Sequence, residues 1–314
     1  MNPGAAAGTR LPYPVLMAKV SDLLARGRTY SFEFFPPKSD VEQARLVQTL
    51  LDLQPLRPSF VSVTYRGGPS SRQRTTDLVF SMVRLTNLNP MAHLICTGHT
   101  RLELADILVG FRKAGVENLM ALGGDPPAEP SDSLGELAHA YELVELAQAI
   151  GGFCIGVAAH PGGHPRARNK AADRRHLARK LRRADFAVTQ FFFEARDYLS
   201  LVEDLAALGL TKPVLPGVLP VVSLASIPRM AIMGCAVPAW LVDRLEAANA
   251  RGGAAAVTEE GITAATELCS QLLERGAPGL HFYTLNRSEA TRRIHANLGL
   301  ARPVLPNLAE QAAV

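Results

Sequence analysis

The sequence predicts an α/β protein with a single-domain (β/α)8 barrel, or TIM barrel, and three observations support this class. Short apolar runs alternate with longer segments of helical spacing, which is the pattern of repeated βα units. The runs are continuously apolar, as expected of strands in a parallel sheet buried on both faces. Eight of them occur over about 250 residues, the usual size of a closed eight-stranded barrel. The predicted strands are Tyr30–Phe35, Phe60–Tyr65, Ala92–Cys96, Asn118–Leu122, Cys154–Ala159, Phe186–Phe192, Val214–Leu219 and Leu280–Leu285.

The segments between the strands predict helices that each bury one face. Apolar residues recur every three or four positions in Val41–Leu53 and in Leu102–Phe111. The core-facing residues predicted for these two helices are Val41, Ala44, Val47, Leu50, Leu51, Leu104, Ile107 and Leu108. Between strands seven and eight, Pro238–Ala250 and Thr258–Arg275 predict two extra helices separated by Arg251-Gly252-Gly253.

The predicted domain organisation is one barrel over residues 21–300, with weakly ordered tails at residues 1–20 and 301–314. The competing fold is an open sheet that binds a dinucleotide at a glycine-rich turn. Neither G-x-G-x-x-G after a strand nor G-x-x-x-x-G-K-[ST] occurs in the sequence, which favours the barrel.

Composition excludes several classes of protein. With 47% hydrophobic and 20% charged residues, the chain is globular and is neither disordered nor fibrous. No apolar run approaches the roughly 18 residues of a membrane span, so we expect neither a membrane protein nor a secreted one. The four cysteines are far apart and include no C-x-x-C pair, so we expect reduced thiols in a cytoplasmic protein, without disulfides or structural zinc.

One segment is strongly basic: nine of the eighteen residues in Arg166–Arg183 are Lys or Arg. A solvated helix face and a phosphate-binding site both fit this concentration of charge. Nucleic acid binding is disfavoured, because the segment lacks interleaved aromatic residues.

In a barrel of this kind reactive groups lie where strands end. At the first strand end Glu33 stands among aromatic residues, and strand alternation places it on the same face as Ser31 and Phe35. A carboxyl that points into an apolar, partly dry barrel mouth is disfavoured in its charged form and is suited to donate a proton near neutral pH. The alternative is a glutamate paired with an arginine as internal scaffolding, and the residues alone leave both open.

The other strand ends carry glycines and polar residues. Gly123 and Gly124 allow a bound group to approach the backbone closely, and Asp125 follows them. His160 and His164 each precede a proline, which keeps them out of a helix, so they need not converge and we predict no metal site. The inventory fits neither an amidohydrolase metal site nor a pair of glycosidase carboxylates. It suits a flat heterocycle with a phosphate tail.

Ten motifs in chain order, spanning about residues 28–300, resemble the methylenetetrahydrofolate reductase family. The pair SFEFFPPK and HFYTLNR is especially specific. The motifs are Ser31–Lys38, Phe60–Tyr65, Ala92–Leu94, Gly124–Pro127, Val157–Ala159, His164–Pro165, Thr189–Phe193, Pro216–Pro220, Pro238–Trp240 and His281–Arg287.

The resemblance implies a barrel that binds FAD noncovalently at the carboxyl ends of its strands. NADH or NADPH would reduce the flavin, and 5,10-methylenetetrahydrofolate would then take a hydride to become 5-methyltetrahydrofolate, a reaction of one-carbon metabolism that serves methionine biosynthesis. The implied partners are folate and nicotinamide, with no nucleic acid and no membrane. The oligomeric state stays open, a homo-oligomer included.

The resemblance also assigns roles to positions of this sequence. Glu33 occupies the general-acid position, where it protonates a folate nitrogen so that the methylene bridge opens. Asp125 matches a carboxylate near flavin and pterin, and Gln190, Ser226 and Arg287 match positions that contact folate. The positions that match FAD contacts are Thr64, Tyr65, His93, Gly123, Gly124, Asp125, Ala140, His160, His164, Asp173, Arg179 and Lys180.

The sequence departs from the family pattern at several of these positions. Gly123 replaces a common Arg, His160 an aromatic residue, and Ser226 and Met230 stand where some relatives use Gln and Phe; Arg66 replaces a Gly and could restore the lost charge. Two alternatives follow. One is a relative that passes hydride directly from nicotinamide to folate without flavin, and the other is a non-catalytic paralogue that binds folate or flavin.

Overall fold

The computed structural model describes residues 17–65, 69–125 and 134–300, without the side chains of residues 69–71. Arg66, the predicted C-terminal tail and most of the predicted N-terminal tail lie outside the described residues. Residues 17–20, which the sequence places in the N-terminal tail, instead adjoin the barrel, because Val20 begins a helix and is fully buried.

The described chain alternates strands with helices, as the sequence predicts. The strands are β1 Thr29–Phe34, β2 Phe60–Val63, β3 Pro90–Ile95, β4 Asn118–Leu122, β5 Cys154–Ala159, β6 Phe186–Thr189, β7 Val214–Leu215, β8 Gly217–Val218 and β9 Gly279–Tyr283. The helices are α1 Val20–Arg26, α2 Asp40–Leu53, α3 Pro69–Leu85, α4 Arg101–Lys113, α5 Ala140–Ile150, α6 Lys170–Arg183, α7 Ala195–Ala207, α8 Ile227–Ile232, α9 Ala239–Glu274 and α10 Glu289–Asn297.

All strand pairs are parallel and form a ring, which confirms the predicted (β/α)8 barrel. The order is β7-β6-β5-β4-β3-β2-β1-β9-β8, and only Pro216 separates β7 from β8. The predicted seventh strand, Val214–Leu219, is therefore two short strands that close the ring. Proline explains the break, because it has no N–H to donate to the sheet. Its carbonyl still accepts a hydrogen bond from the His281 N–H at 3.0 Å.

Strand alternation divides the side chains into an outer apolar shell and a two-part interior. Outward residues such as Phe32 and Phe34 join the main core beneath the helices. The lower interior is an apolar floor, whose members are Val20, Phe60, Met91, Met120, Cys154, Phe186, Val188 and Leu215. Above it lies a polar layer, defined as Ser31, Glu33, Ser62, His93, His281 and Tyr283. The barrel thus opens on polar groups at the strand carboxyl ends.

Helix α1 closes the lower end of the barrel. The side chain of Asn118 accepts a hydrogen bond from the Val20 N–H at 2.8 Å and donates one to the Ala18 carbonyl at 3.0 Å. Asn89 donates to the same carbonyl at 2.8 Å. Solvent access to the interior is therefore from the upper end.

The buried face of α4 is the one that the sequence predicts, whereas the buried face of α2 is a different one. Leu104 and Leu108 of α4 are fully buried. In α2 the predicted face is wrong: the buried residues are Leu46, Thr49 and Leu53, whereas Val41, Ala44, Val47 and Leu51 are exposed. Two apolar stripes with helical spacing overlap in this segment, and periodicity alone does not say which one meets the sheet.

The two extra helices predicted before the last strand are present, between β8 and β9. Helical structure runs from Ala239 to Glu274, but Gly252 and Gly253 have non-helical backbone and divide α9 into two arms. The second arm touches the loop after β8 at Gly261, where an added Cβ would lie 2.0 Å from the Val221 carbonyl oxygen.

This contact predicts that Gly261→Ala destabilises the barrel. Overpacking against backbone costs about 1–3 kcal/mol, which exceeds the gain of up to about 1 kcal/mol from replacing a helical glycine. The matched control is Gly110→Ala in α4, because no atom lies within 4 Å of its added Cβ. Urea unfolding measures both, and equal stability changes in the two variants would contradict the close contact.

Candidate active site

Glu33 lies inside the barrel, in the polar layer, and is only 7% exposed. Its Oε2 atom accepts a hydrogen bond from the Ser62 hydroxyl at 3.4 Å. The Nε2 atoms of His93 and His281 each lie 3.6 Å from the same oxygen. Within the described chain, no hydrogen bond or ion pair involves Oε1. The carboxyl is thus held through one oxygen.

The predicted apolar surroundings of Glu33 are wrong. Phe32 and Phe34 alternate outward into the shell beneath the helices, so they do not face the carboxyl. The groups that do face it are hydroxyl and imidazole. An arginine partner, the alternative that the sequence left open, is not found among the described residues.

His281 is fully buried and connects Glu33 to the rest of the polar layer. Its Nδ1 lies 2.8 Å from the Ser31 hydroxyl oxygen, and its Nε2 lies 3.4 Å from that of Ser62. The ring stacks on Phe60 of the floor, with centroids 6.0 Å apart and planes 16° apart. Both ring nitrogens and one ring face are therefore fixed.

Tyr283 completes the layer on the β9 side. Its hydroxyl donates to the Thr189 carbonyl at 2.7 Å, and its ring meets that of His281 edge-on. Burial raises the pKa of Tyr283 well above its ordinary value, and Glu33 adds to that rise. The phenol therefore stays neutral.

Two buried polar atoms near Glu33 have no hydrogen-bond partner: Thr64 Oγ1 and His93 Nε2. Burial lowers the pKa of His93, and only the Glu33 carboxyl opposes that effect appreciably. An unpaired buried polar atom costs roughly 1–3 kcal/mol, so such atoms in a concave site are suited to contact a ligand. Both residues belong to the predicted FAD set.

The end of β1 is tied to the turn after β9. The Asn286 side-chain amide accepts from the Phe35 N–H and donates to the Phe35 carbonyl, both at 2.9 Å. The Thr284 hydroxyl donates to the Glu33 carbonyl at 2.6 Å. Leu285 and Asn286 both have positive φ, of 51° and 56°, so the turn is held in an uncommon conformation. These bonds fix the backbone on both sides of Glu33.

The β4 end brings Gly123, Gly124 and Asp125 to the mouth. Gly124 has φ +85°, and a Cβ there would lie 2.7 Å from Thr97 Oγ1, so the position requires glycine. Asp125 is exposed. Ala140 begins α5, and its backbone nitrogen lies 3.8 Å from where a Gly123 Cβ would be.

Tyr65 stands apart from this group. Its hydroxyl lies 2.8 Å from His99 Nε2, and its side chain is buried. The structure thus gives the Tyr65 hydroxyl a protein partner in place of the predicted cofactor contact.

The loop between β5 and α6 brings His160 and His164 together, with ring centroids 4.6 Å apart. Burial, aided by His164 and Lys180, lowers the pKa of His160 to about 4, so its ring stays neutral. The convergence was not expected from the His-Pro pairs. Among the described residues, no group of three or more His, Cys, Asp or Glu side chains could hold a metal.

The basic segment divides into structural and available cations. Arg174 is buried and donates to the carbonyls of His160 and Pro161 at 2.9 and 2.6 Å, while pairing with Asp173 and Asp204. Arg174 therefore holds the loop in place, and its guanidinium is the ion-pair partner of the Asp173 carboxylate.

Lys180 and Arg179 of the same segment differ in exposure. Lys180 donates to the Ala158 carbonyl at 2.8 Å. Arg179 is exposed and lies over the Tyr141 ring, 4.2 Å from its centroid. Of the two, Lys180 faces the strand ends through the β5 carbonyl, whereas Arg179 faces the α5 side.

The predicted folate residues are spread around the mouth. Gln190 Nε2 donates weakly to the Met233 carbonyl at 3.4 Å. The Ser226 hydroxyl donates to the Ser223 carbonyl at 2.6 Å and so serves its own turn. Arg287 is exposed beside the turn after β9. The structure does not bring these three into mutual contact.

A separate cleft of about 530 Å³ lies between the β6–α7 connection and α9. Its lining includes Phe193, Glu194, Arg196, Trp240, Glu267 and Gln271. None of the predicted site residues lines it. Chemical groups, not cavity size, therefore identify the barrel mouth as the candidate site.

Sequence reasoning missed Ser31, Ser62, His281, Asn286 and Arg174 as members of the site or its support. For Ser31 and Ser62 a signal was present: each lies two residues before a predicted site residue of its own strand, Glu33 and Thr64 respectively. Asn286 and Arg174 act through backbone contacts between segments distant in sequence. No local pattern predicts those contacts.

The described residues contain no helix that is long and apolar enough to cross a membrane.

Lys180 predicts a pH dependence of folding. Burial lowers its pKa from 10.5 to about 8, so between these values the unfolded chain binds a proton that the folded chain does not. The stability of the wild type should therefore rise relative to that of Lys180→Met as the pH increases from about 8 to about 10. The midpoint of urea unfolding measures this difference.

The control is Lys170→Met, which replaces an exposed lysine of the same helix. We expect its difference from the wild type to stay level over the same pH range. If the difference in stability between the wild type and Lys180→Met also stays constant over this pH range, burial of the Lys180 ammonium does not affect the stability of the fold.

Comparison with known proteins agrees with the motifs. The sequence model of the family described as "Methylenetetrahydrofolate reductase" matches residues 19–299. The chain is 34% identical over 277 residues to the 5,10-methylenetetrahydrofolate reductase of Escherichia coli K12, covering 88% of this chain and 92% of that protein. It is 33% identical over 272 residues to the protein of the same name from Pectobacterium carotovorum, covering 86% and 90%.

A solved structure shows the same fold. It is described as an uncharacterized protein from Clostridium thermocellum that binds two copies of 5-methyl-5,6,7,8-tetrahydrofolic acid, and it has a TM-score of 0.63. The match covers 91% of this chain and 98% of that one, at 14% identity. With the family match over nearly the whole described chain, the sequence identities establish that this protein belongs to the methylenetetrahydrofolate reductase family of enzymes.

Proposed function

We propose that the protein reduces 5,10-methylenetetrahydrofolate to 5-methyltetrahydrofolate with electrons from NADH or NADPH, through bound FAD, and with Glu33 as the general acid. Family membership supports the reaction. The observation that supports the acid is the placement of Glu33: its carboxyl lies inside the barrel, held through Oε2, with no protein partner on Oε1 among the described residues.

Glu33 has the chemical task of protonating the folate amine as its carbon–nitrogen bond breaks. A positioned acid of this kind contributes roughly 10²- to 10⁴-fold to a rate. Hydrogen bonds from the Thr284 hydroxyl and the Asn286 amide hold the backbone on both sides of Glu33. The carboxyl therefore keeps the orientation on which this rate acceleration depends.

The residues at the mouth fit FAD in part. Thr64 Oγ1 and His93 Nε2 are buried and unpartnered, Gly124 allows close approach of a ligand to the backbone, and Lys180 offers a cation for a phosphate. Arg179 and Asp173 have protein partners and would hold FAD only by leaving them. The chemistry that FAD supplies when bound is the relay of two electrons from nicotinamide to folate.

On the folate side, the proposal assigns Gln190 and Arg287 to orientation and Asp125 to the region between flavin and pterin. Gln190 Oε1 accepts a hydrogen bond from the Phe191 N–H at 3.0 Å, whereas its Nε2 makes only a 3.4 Å bond, so the Nε2 group is the part of the amide that can turn to a ligand at low cost. Ser226 is the weakest of the proposed contacts, because its hydroxyl already bonds within its own turn.

The test of the acid is Glu33→Gln. In a stopped-flow assay with FAD added, we expect oxidation of the reduced flavin by methylenetetrahydrofolate to slow by roughly 10²- to 10⁴-fold. Reduction of the flavin by NADH should keep its rate, since it needs no proton from this carboxyl. Glu203→Gln, an exposed substitution on α7, is the matched control. Equal folate reduction by the wild type and Glu33→Gln would defeat the assignment.

The test of the cofactor site is Thr64→Val. Removal of the unpartnered hydroxyl should stabilise the flavin-free protein by about 1 kcal/mol and weaken FAD binding about tenfold. Thr29→Val is the control, because Thr29 Oγ1 is also buried and unpartnered but lies at the first residue of β1, at the lower end of the barrel. It should show the stabilisation alone. Unchanged FAD affinity in Thr64→Val would remove this residue from the site.

Direct hydride transfer from nicotinamide to folate is the second candidate. The observation that favours it is the reduced set of flavin contacts: Gly123 offers no side chain, and the Tyr65 hydroxyl bonds His99. The absorption spectrum of the purified protein separates the two. A colourless protein that reduces folate without added FAD would select direct transfer.

A further inference from the structure

We propose that Arg166, on the loop between β5 and α6, binds the diphosphate of FAD and supplies the positive charge that Gly123 does not. This inference rests on the proposed function and names a further contact to its cofactor. Neither the resemblance nor the comparisons assign a role to Arg166.

The backbone of Arg166 is fixed, whereas its guanidinium is only weakly held. Its N–H donates to His164 Nδ1 at 3.1 Å, and the Ala167 N–H closes the turn by donating to the His164 carbonyl at 2.9 Å. Of the five N–H donors of the guanidinium, one makes a 3.4 Å contact with the Gly124 carbonyl. Among the described side chains, no carboxylate forms an ion pair with it. A cation with a fixed origin and unused donors is suited to bind an anion.

The contact with Gly124 places this guanidinium at the end of β4, next to Gly123. Gly123 has no side chain, and its carbonyl accepts from the N–H and the hydroxyl of Thr97 at 3.1 and 3.0 Å. The end of β4 therefore has no cation of its own, and the neighbouring loop brings one to it. Arg66, the other residue that could restore this charge, lies outside the described residues.

His164 lies near both Arg166 and the second cation of this region, Lys180. Burial lowers the pKa of His164, and the charges of Arg166 and Lys180 add to this effect, while Asp173 and Asp125 oppose it. The ring is therefore neutral near pH 7. Because its Nδ1 accepts from the Arg166 N–H, its hydrogen is on Nε2, which can donate to a ligand. Two cations and a neutral donor thus lie in one region of the mouth.

This set of groups fits a diphosphate better than a single carboxylate. The Asp173 carboxylate is paired with Arg174 at 3.1 Å, so its charge is compensated within the fold. The charges that remain near His164 are those of Arg166, Lys180 and the exposed Asp125. A diphosphate has two anionic groups and can bind both cations at once, Lys180 as a point charge and Arg166 through its fork.

Both FAD and the nicotinamide dinucleotides carry a diphosphate, and the strand order favours FAD. The unpartnered atoms of the proposed flavin site, Thr64 Oγ1 and His93 Nε2, lie at β2 and β3. The sheet order β5-β4-β3-β2 makes these strands neighbours of the β4 and β5 ends, where Arg166 and Lys180 lie. An extended dinucleotide bound across these adjacent strand ends contacts all four residues.

The experiment titrates FAD into the full-length, flavin-free protein and follows the fluorescence of the flavin. We expect Arg166→Gln to weaken FAD binding about tenfold, the effect of one charge-assisted hydrogen bond. The matched control is Arg168→Gln, an exposed arginine of the same loop, which should change the affinity less than about twofold. Equal affinity for FAD in the wild type and Arg166→Gln would overturn the proposal.

The salt dependence of the same titration separates a charge contact from support of the loop. Salt screens the attraction between an exposed cation and a phosphate, so raising it from about 0.05 M to about 0.5 M should narrow the difference between the wild type and Arg166→Gln. A difference that stays the same at all salt concentrations would mean that Arg166 only shapes the loop, and it too would overturn the proposal.

A second substitution tests whether Arg166 acts for position 123. The backbone of Gly123 does not have a positive φ, and the nearest atom to an added Cβ is the Ala140 nitrogen at 3.8 Å, so a side chain fits. Gly123→Arg in the Arg166→Gln protein should return FAD affinity to within about threefold of the wild type. Gly123→Gln, which adds a polar side chain without charge, should not. A double variant with arginine that binds FAD no better than Arg166→Gln would contradict the shared role.

The NADH half-reaction separates the two sources of diphosphate. With FAD saturating, the dissociation constant of NADH should change less than about twofold in Arg166→Gln. If it rises while FAD affinity stays at the wild-type value, Arg166 serves the nicotinamide dinucleotide and the assignment to FAD is wrong. A wild type that binds FAD through Arg166 but does not reduce folate refutes the proposed function and leaves this contact standing, whereas a wild type that binds no FAD refutes both.

Discussion

The carboxyl of Glu33 inside the barrel is the constraint on which the surrounding structure depends. A charged or polar group removed from water costs several kcal/mol unless it gains partners. The barrel provides them from three other strands: Ser62 on β2, His93 on β3 and His281 on β9. The four strands are consecutive neighbours in the sheet, in the order β3-β2-β1-β9, so their direct parallel pairing brings these groups to the same level of the barrel.

The apolar floor gives the polar layer its position. Phe186 fills the lower interior and needs Gly156 opposite, where a Cβ would lie 2.7 Å from its ring. Phe60 lies on top of this floor and stacks on His281. A floor of this height keeps water from reaching the layer from below, so Glu33 meets ligands from the mouth alone.

Sequence patterns predicted the barrel because buried parallel strands are recorded directly as continuous apolar runs. They also predicted the two arms of α9, since glycine pairs break helices. They failed for α2, where two apolar stripes compete, and for Val214–Leu219, where a proline divides the strand. In the site, motifs located Glu33, Thr64 and His93. The one-oxygen contact to Glu33 was not predictable, because it depends on the depth at which distant strands stack.

The basic segment Arg166–Arg183 contains buried cations with two different roles. Arg174 is buried with four partners and holds the β5–α6 loop, so its charge is used by the fold. Lys180 donates to a single carbonyl, and burial lowers its pKa, which means that its charged form is held at a cost to stability. A bound anion would stabilise the charged form of Lys180 and so offset this loss of stability. Most of the segment is a solvated face, because seven of its nine basic residues are exposed: Arg166, Arg168, Lys170, Arg175, Arg179, Arg182 and Arg183. Its buried Arg174 holds the loop in place, and its Lys180 is left to respond to a ligand.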